Sequence, residues 1–229
     1  ANLGIDLGFG ANKLFGPEGG LELPSQVAHA KGQILGRSGA IKSRRPPMKI
    51  SIGNHKYFVG LGAHDWGRPI ESLDYARLTG SPEILAIFYG AMTEFMAAYG
   101  DLDAVCFHVG LPVETLSGKA SEIKEVTDKV KSWMLGEHKW NANGYPFTLT
   151  VQKVAFATQP TGALIDHIKD INGKIIKENK GRLTKEVGII SIGFNTVELM
   201  AVRSMAAVQR FTGGSKNGVR RLLELKNDG

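Results

Sequence analysis

The sequence has 229 residues, of which 42% are hydrophobic and 22% charged, and its formal net charge is +6. Such a composition is typical of a globular chain with one domain or two lobes, and the charge favours a polyanionic partner only weakly. The single cysteine, Cys106, excludes an internal disulfide framework and is typical of a reducing compartment. No segment approaches ~18 uninterrupted apolar residues, so we expect a cytoplasmic protein with no membrane partner.

The chain opens with a strand, a glycine-rich turn and a second strand. Asp6 ends the first strand, Lys13 begins the second, and the alternating pattern at 21–23 predicts a third. Residues 24 to about 75 are broken and rich in Gly and Pro. They predict a small β-rich subdomain inserted into a larger one, with a hairpin that turns at Gly53-Asn54.

Regular structure is predicted to return in the middle of the chain. Ser81-Pro82 offers an N-cap followed by proline at the first helical position, and apolar residues at helical spacing continue until Gly100. Apolar residues from Ile123 to Trp133 mark a second, amphipathic helix. Strands are predicted over residues 104–110, 147–151 and 153–156.

A third helix is predicted to start near Gln159, but the pattern leaves its end open. Ile168, Ile171 and Ile175 continue a helical face, whereas Asn172-Gly173 is a plausible type I′ hairpin turn.

The C-terminal part repeats the order of the N-terminal part. Three strands are predicted over 188–192, 197–202 and 206–211, and Gly213-Gly214 then opens a helix that carries Val219. Strand, turn, strand, turn and strand therefore occur twice, which favours an internal duplication of the fold.

The first glycine-rich turn has the residue types that nucleotide phosphates require. Gly8 and Gly10 allow the backbone N–H groups to approach a phosphate, and Lys13 supplies a cation. Asp6 at the strand end is placed to hold magnesium through its water ligands. The alternative is a purely structural hairpin. The candidate nucleotide-binding residues of this first loop are Gly8, Phe9, Gly10, Asn12 and Lys13.

A second loop follows the apolar strand at 187–192. Gly193 makes the turn, while Asn195 and Thr196 offer an amide and a hydroxyl. On its own this loop would be an ordinary hairpin with polar turn residues; paired with the first loop, it favours two loops that clamp one nucleotide between two lobes. The candidate residues of this second loop are Gly193, Phe194, Asn195 and Thr196.

Gln159 directly follows a strand and precedes Pro160-Thr161-Gly162-Ala163. An amide here is suited to orient the attacking water in phosphoryl transfer, where positioning dominates catalysis. A helix-capping role is the alternative. Gln159 and Asp6 are the candidate catalytic residues.

These motifs, in this order, resemble those of actin-like ATPases, and most closely the ParM/StbA-type plasmid-segregation actins of bacteria and archaea. The resemblance rests on Asp6-x-Gly8-x4-Lys13, Val109-Gly110-Leu111-Pro112, Gln159-Pro160-Thr161-Gly162-Ala163 and Ile192-Gly193-Phe194-Asn195-Thr196. It implies an α/β fold of duplicated ribonuclease-H-like lobes, ATP with magnesium, and nucleotide-dependent filaments that segregate plasmids through a DNA-bound adaptor. By this resemblance, 1–158 form lobe I, with the subdomain at about 24–75, and 159–229 form a linking helix and the first part of lobe II.

Two departures from the family pattern concern catalysis and length. Ser191 stands where the family has an aspartate that helps to hold magnesium and the lytic water, so ATP hydrolysis is expected to be impaired. Glu198 stands where aspartate is usual. The resemblance also implies a longer second lobe with an adenosine-binding loop that we do not find before Gly229, which favours a fragment over a degenerate relative that cannot bind the adenine. The rival hypotheses are a nucleotide-insensitive structural protein on the same fold and a kinase of the same superfamily.

A basic cluster occurs in a proline-rich loop without aromatic residues, which favours a solvated or filament-contact loop over direct nucleic-acid binding. The cluster comprises Lys42, Arg44, Arg45 and Lys49. The six histidines show no paired metal-ligand spacing.

Overall fold

The computed structural model describes residues 1–31 and 45–227. The chain divides into two compact units. Unit 1 comprises residues 1–107 and 130–154, and unit 2 comprises residues 108–129 and 155–229. The predicted lobe boundary between residues 158 and 159 stays a prediction.

Within the described residues, ten strands form the large sheet that dominates unit 1. Its spatial order is β3-β2-β1-β8-β10-β9-β5-β6-β4-β7, and the last residues of β8 and β10 continue into unit 2. The strands are β1 (Asn2–Leu7), β2 (Ala11–Gly16), β3 (Gly19–Pro24), β4 (Val27–His29), β5 (Met48–Ile52), β6 (His55–Val59), β7 (Arg68–Pro69), β8 (Ala104–Leu111), β9 (Gly136–Ala142) and β10 (Tyr145–Thr158).

Strict alternation determines which face of β1 is buried. Leu3, Ile5 and Leu7 are buried, whereas Gly4 and Asp6 are only half-buried, as the two-residue period of a strand requires. The Asp6 carboxyl group therefore lies on the face of the strand opposite the core.

The strands between residues 24 and 75 belong to this same sheet. The predicted hairpin at Gly53-Asn54 is confirmed, because β5 and β6 pair antiparallel with Ile52 opposite His55. β5 also pairs with β9, which joins these strands to the rest of the sheet.

The first predicted helix is confirmed as α1 (Pro82–Tyr99). The Ser81 hydroxyl accepts from the Ile84 N–H at 3.5 Å, and the Gly100 N–H donates to the Met96 carbonyl at 2.8 Å at the other end. Most of the helix is buried, because it packs against several strands of the sheet. It forms the centre of the core of unit 1.

The second predicted helix is confirmed as α2 (Ala120–Met134). Lys129 and Glu125, one turn apart, form a 2.7 Å ion pair on its surface. The helix begins in unit 2 and ends in unit 1.

Two strands of the sheet differ from the prediction: β10 replaces two predicted strands, and β9 was not predicted. The separate strands predicted over 147–151 and 153–156 are wrong, since β10 runs without interruption through both. β9 was not predicted, although it alternates and buries His138, Trp140 and Ala142. Asn143 and Gly144 turn it into β10 with positive φ angles of 53° and 97°.

Unit 2 is built on a smaller antiparallel sheet covered by one helix. β11 (Glu186–Ile192) pairs with β12 (Val197–Arg203), as predicted. The helix predicted to start near Gln159 is confirmed as α3 (Gln159–Ile168). Its buried Leu164 and Ile168 form a core cluster with Ile189, Met200 and Val202.

The open question at residues 168–175 has a clear outcome. The helix ends at Ile168, and Lys169 and Ile175 then form an antiparallel bridge. Gly173 lies in the turn with a φ of 75°.

The last elements differ from the predicted ones. The third strand, predicted over 206–211, is wrong in length, because β13 covers only Ala206–Ala207. Gly213-Gly214 does not open a helix but lies in β14 (Gly213–Ser215), which pairs with β12. The helix α4 (Val219–Asn227) starts later. In the described part of the chain, no helix is long and apolar enough to cross a membrane.

Candidate functional site

The first loop joins β1 to β2, and an acidic and a basic residue face each other on the two strands beside it. Asp6 and Lys13 are direct cross-strand partners, which places their Cβ atoms roughly 5 Å apart on one face of the hairpin. Asp6 is half-buried and Lys13 is exposed. A carboxyl and an amino side chain therefore start from neighbouring positions next to the turn of the hairpin.

Hydrogen bonds from a distant segment hold this loop in place. The Gly8 carbonyl oxygen accepts from the Ser25 hydroxyl at 2.7 Å and from the Arg77 guanidinium at 2.7 Å. The Ser25 N–H donates to the Gly10 carbonyl at 2.9 Å. The Phe9 ring makes an edge contact with Tyr75, with 5.9 Å between the ring centroids. The loop is thus tied to its own unit at three consecutive residues.

Gly8 is required by the tight turn. A Cβ atom at this position would lie 2.3 Å from the Ala11 carbonyl oxygen, so any side chain would force the loop to open. The tight turn therefore explains the glycine at this position.

Asn12 lies on the opposite face from Asp6 and Lys13. It pairs with Leu7 across the hairpin and is fully buried. Within residues 1–31 and 45–227, neither atom of its amide has a hydrogen-bond partner. Its predicted role in nucleotide binding stays a prediction, while the burial of an unsatisfied amide requires a physical explanation.

The second loop of unit 2 caps the following helix. The Gly193 N–H donates to the Thr196 carbonyl at 2.8 Å, which closes the turn. Its carbonyl oxygens then accept from N–H groups at the start of α4: Gly218, just before the helix, donates to Asn195, Val219 to Gly193 and Arg220 to Phe194, at 3.2, 3.1 and 2.9 Å. These bonds satisfy N–H groups that a helix start leaves unpaired.

The close packing of loop and helix requires a glycine. A Cβ atom on Gly218 would lie 2.6 Å from three backbone atoms of residues 193–195. In the loop itself, Asn195 and Thr196 are buried and Phe194 is 41% exposed. The second loop and the start of α4 therefore form one rigid piece.

A buried carboxylate joins this piece to the end of β8. Glu198, on β12, is only 1% exposed, and its Oε1 accepts a 2.6 Å hydrogen bond from the Val113 N–H. Glu198 is also the cross-strand partner of Ser191 and of Gly214. The Val109-Gly110-Leu111-Pro112 motif thus leads into a turn that is anchored on β12.

Gln159 is the first residue of α3 and is half-buried. The preceding Thr158 lies 2.7 Å from the Thr161 hydroxyl and donates to the Met200 sulfur of β12 at 3.4 Å. The start of α3 is therefore fixed beside β12 in unit 2, and the role of Gln159 in positioning water stays a prediction.

Sequence reasoning missed Ser25, Arg77 and Gly218. Ser25 and Arg77 act on the loop from 17 and 69 residues away, and no local pattern marks them. Gly218 follows the glycine pair of β14, so the Gly-rich stretch from 213 to 218 was the available signal.

At the first loop, Asp6 is the candidate ligand for a cation. No group of three or more His, Cys, Asp or Glu side chains there could hold a metal ion. A single carboxylate such as Asp6 fits magnesium, which usually keeps several waters. Of the basic cluster, Lys42 and Arg44 lie outside the described residues, while Arg45 and Lys49 are exposed.

The chain is similar to known proteins along most of its length. A family model described as "Actin like proteins N terminal domain" matches residues 4–162. No curated protein matches the sequence significantly. The predicted α/β fold class is confirmed by solved structures of low sequence identity.

Three of these structures illustrate the likeness. The apo pSK41 ParM protein has 14% identity and a TM-score of 0.76, and the match covers 97% of this chain and 68% of that one. Alp7A has 17% identity and a TM-score of 0.73, covering 98% and 62%. The filament structure of AlfA from the B. subtilis plasmid pLS32 has 14% identity and a TM-score of 0.68, covering 99% and 76%. The chain thus spans 62% of Alp7A and 68% of the ParM protein.

Proposed function

Because the chain belongs to the family of actin-like proteins, whose N-terminal domain model matches residues 4–162, we propose that it binds ATP with magnesium and assembles into filaments. The predicted resemblance to ParM-type actins is confirmed at the level of family and fold. We extend the proposal to segregation of plasmids or other DNA through a DNA-bound adaptor, and to a cytoplasmic location.

The neighbouring structures support filament formation and nucleotide binding. AlfA and Alp12 were solved as filaments, and an AlfA filament was solved with AMPPNP bound. AlfA comes from a plasmid. Since the identities to these three are 14 to 15%, assembly, cofactor and cargo of this chain are proposals.

The geometry of the first loop is the observation that supports the proposal most directly. Its glycine backbone is held from one side by Ser25 and Arg77, and the cross-strand pair Asp6 and Lys13 lies at its base. Lys13 would bind phosphate oxygens as a point charge, and Asp6 would hold magnesium through water. Bound magnesium would neutralise phosphate charge during phosphoryl transfer. The remaining proposed ligands are Gly8, Phe9, Gly10, Asn12, Gly193, Phe194, Asn195 and Thr196.

Hydrolysis depends on two further positions. Gln159 would orient the attacking water, as the family pattern implies. Ser191, on β11, lacks the carboxylate that the family has there. The activity that we propose for the chain is therefore a weak hydrolysis of ATP. The second candidate, a nucleotide-insensitive structural protein on the actin fold, is favoured by this one substitution.

The direct test is a calorimetric titration of ATP and magnesium into the wild-type chain and into Lys13→Ala. Lys153→Ala is the matched control, because Lys153 is an exposed strand lysine of the same unit. We expect binding by the wild type and the control, and a loss of at least tenfold in affinity for Lys13→Ala. Equal affinity in all three would remove the first loop from the site.

Assembly is tested by sedimentation and electron microscopy with ATP, AMPPNP or no nucleotide. Filaments that form only with nucleotide support the proposal. Filaments that form equally without nucleotide, and equally from Lys13→Ala, support the structural alternative.

A further inference from the structure

A buried arginine lies directly behind the first loop. Arg77 is only 5% exposed, and its Nη2 donates a 2.7 Å hydrogen bond to the Gly8 carbonyl. Its guanidinium carbon lies 4.5 Å from the centroid of the Phe9 ring. One side chain therefore contacts two consecutive residues of the loop.

The segment that carries Arg77 is itself fixed. Arg77 lies in a short 3₁₀ helix, Tyr75–Thr79, whose N-cap Asp74 accepts from the Ala76 N–H at 2.8 Å. The Trp133 indole N–H donates to the Leu78 carbonyl at 2.8 Å. The guanidinium thus approaches the loop from a rigid support.

The charge of Arg77 is costly in this position. Burial lowers the pKa of its guanidinium to about 10, although nearby Glu83 opposes the shift, so the group stays protonated at neutral pH. An apolar residue of similar size would usually be tolerated at least as well in a core. The Gly8 carbonyl also has a second donor, the Ser25 hydroxyl, so satisfying that oxygen does not by itself require an arginine.

Fixing the Gly8 carbonyl also fixes the neighbouring amide. In a planar trans peptide the C=O and N–H bonds point in opposite directions, so the Phe9 N–H points away from Ser25 and Arg77. Backbone N–H groups attract phosphate oxygens, whereas a carbonyl oxygen repels them. A rotated peptide would exchange an attractive group for a repulsive one.

We propose that Arg77 is a positioning residue of the first loop, which holds the Gly8–Phe9 peptide and the Phe9 ring in the orientation that phosphate binding requires. The proposal rests on nucleotide binding at this loop, as proposed above. Arg77 acts through the backbone and not by contact with the nucleotide.

The test compares Arg77→Met and Arg77→Lys with the control Arg68→Met. Arg68 is an exposed arginine of the same unit, on β7. Amide hydrogen exchange of Ser25 reports the loop without any nucleotide, because its N–H donates to the Gly10 carbonyl. Calorimetry with ATP and magnesium then reports binding.

We expect Arg77→Met to accelerate Ser25 exchange at least tenfold while exchange of the cross-strand amides of β1 and β2 is unchanged. We expect its affinity for ATP to fall at least tenfold, with partial recovery in Arg77→Lys and none of these effects in Arg68→Met. A uniform acceleration throughout the sheet, or unchanged Ser25 exchange, overturns the proposal.

The failure of the two proposals can be told apart. If the wild type does not bind ATP, the proposed function fails, and Ser25 exchange still decides whether Arg77 positions the loop. If the wild type binds ATP and Arg77→Met binds equally well, only the role of Arg77 fails. Should Arg77→Met not fold, Arg77→Lys carries the test: intermediate Ser25 exchange and ATP affinity are expected from it, and values equal to those of the wild type overturn the proposal.

Discussion

Glu198 and Val113 are joined by a 2.6 Å hydrogen bond from a backbone N–H to a carboxylate that is 1% exposed. This bond connects β12 to the turn that follows β8, within unit 2. A side-chain oxygen buried at this depth is strongly coupled to its donor, because neither group has water as an alternative.

We therefore expect Glu198→Ala to lower the free energy of unfolding by about 2 to 3 kcal/mol. The loss arises because the Val113 N–H is left without its acceptor. Glu198→Gln keeps a side-chain oxygen and should cost less. Urea denaturation of both variants provides the measurement, and a midpoint for Glu198→Ala equal to that of the wild type would contradict this account.

Gly218→Ala should destabilise unit 2 by about 1 to 3 kcal/mol through overpacking. The added methyl group would meet three backbone atoms of the second loop at 2.6 Å, and backbone cannot move aside as a flexible side chain can. Gly162→Ala is the control, because a Cβ there meets nothing within 4 Å and lies within α3. It should be stabilising by about 0.5 to 1 kcal/mol. Thermal unfolding of both variants provides the measurement. A change of the same sign in the free energy of unfolding for both would be incompatible with the packing described.

Asn12→Leu should make the protein more stable, and its affinity for ATP tests the proposed ligand role of this fully buried residue. The buried amide of Asn12 has no hydrogen-bond partner among the described residues, and an apolar residue of similar volume removes the cost of burying it, about 1 to 3 kcal/mol. Urea denaturation and calorimetry with ATP measure the two effects. Reduced stability would instead indicate that the amide is hydrogen-bonded to a buried water.

His138 should make stability depend on pH below neutrality. Burial lowers the pKa of its imidazole, although a hydrogen bond to the Met134 carbonyl opposes the shift. Its Nε2 donates to Met134 at 2.8 Å, so Nδ1 accepts from the Tyr89 hydroxyl at 3.1 Å. Both ring nitrogens are thus satisfied in the neutral form.

Because the folded pKa is below the unfolded value of about 6.5, the unfolded chain binds more protons in acid. Stability is therefore complete above about pH 6.5 and is lost as the pH falls toward the folded pKa, with a slope of at most about 1.4 kcal/mol per pH unit. His138→Gln should remove this component. Unfolding free energies of both proteins between pH 5 and 8 test it, and parallel pH profiles would refute the assignment.

Local patterns predicted the elements whose signals lie within a few residues. Ser81-Pro82 and Gly100 defined α1 because capping is local, and Gly53-Asn54 defined its hairpin. β9 was missed because charged residues occupy its exposed positions and hide a regular alternation. The glycine pair at 213–214 was interpreted as a helix start, although pairing with β12 decides its structure.

The candidate site could be predicted only where its residues are close together in the sequence. Asp6, Gly8 and Lys13 follow from one hairpin, and the structure places them together. Ser25 and Arg77 contact the same loop through the fold of unit 1, so only the tertiary structure reveals them. Glu198 appeared as a variant of a motif position, whereas its hydrogen bond to Val113 depends on the meeting of two distant strands.

The interleaving of the two units along the chain has a consequence for synthesis on the ribosome. Residues 108–129 emerge before residues 130–154, which complete unit 1, and β1 must remain unpaired on one side until β8 has been made. No single cut in the polypeptide separates the two units from each other. The N-terminal hairpin can form early, but the first 107 residues have to wait for a later segment, so the nascent protein exposes sheet edges to chaperones for much of its translation.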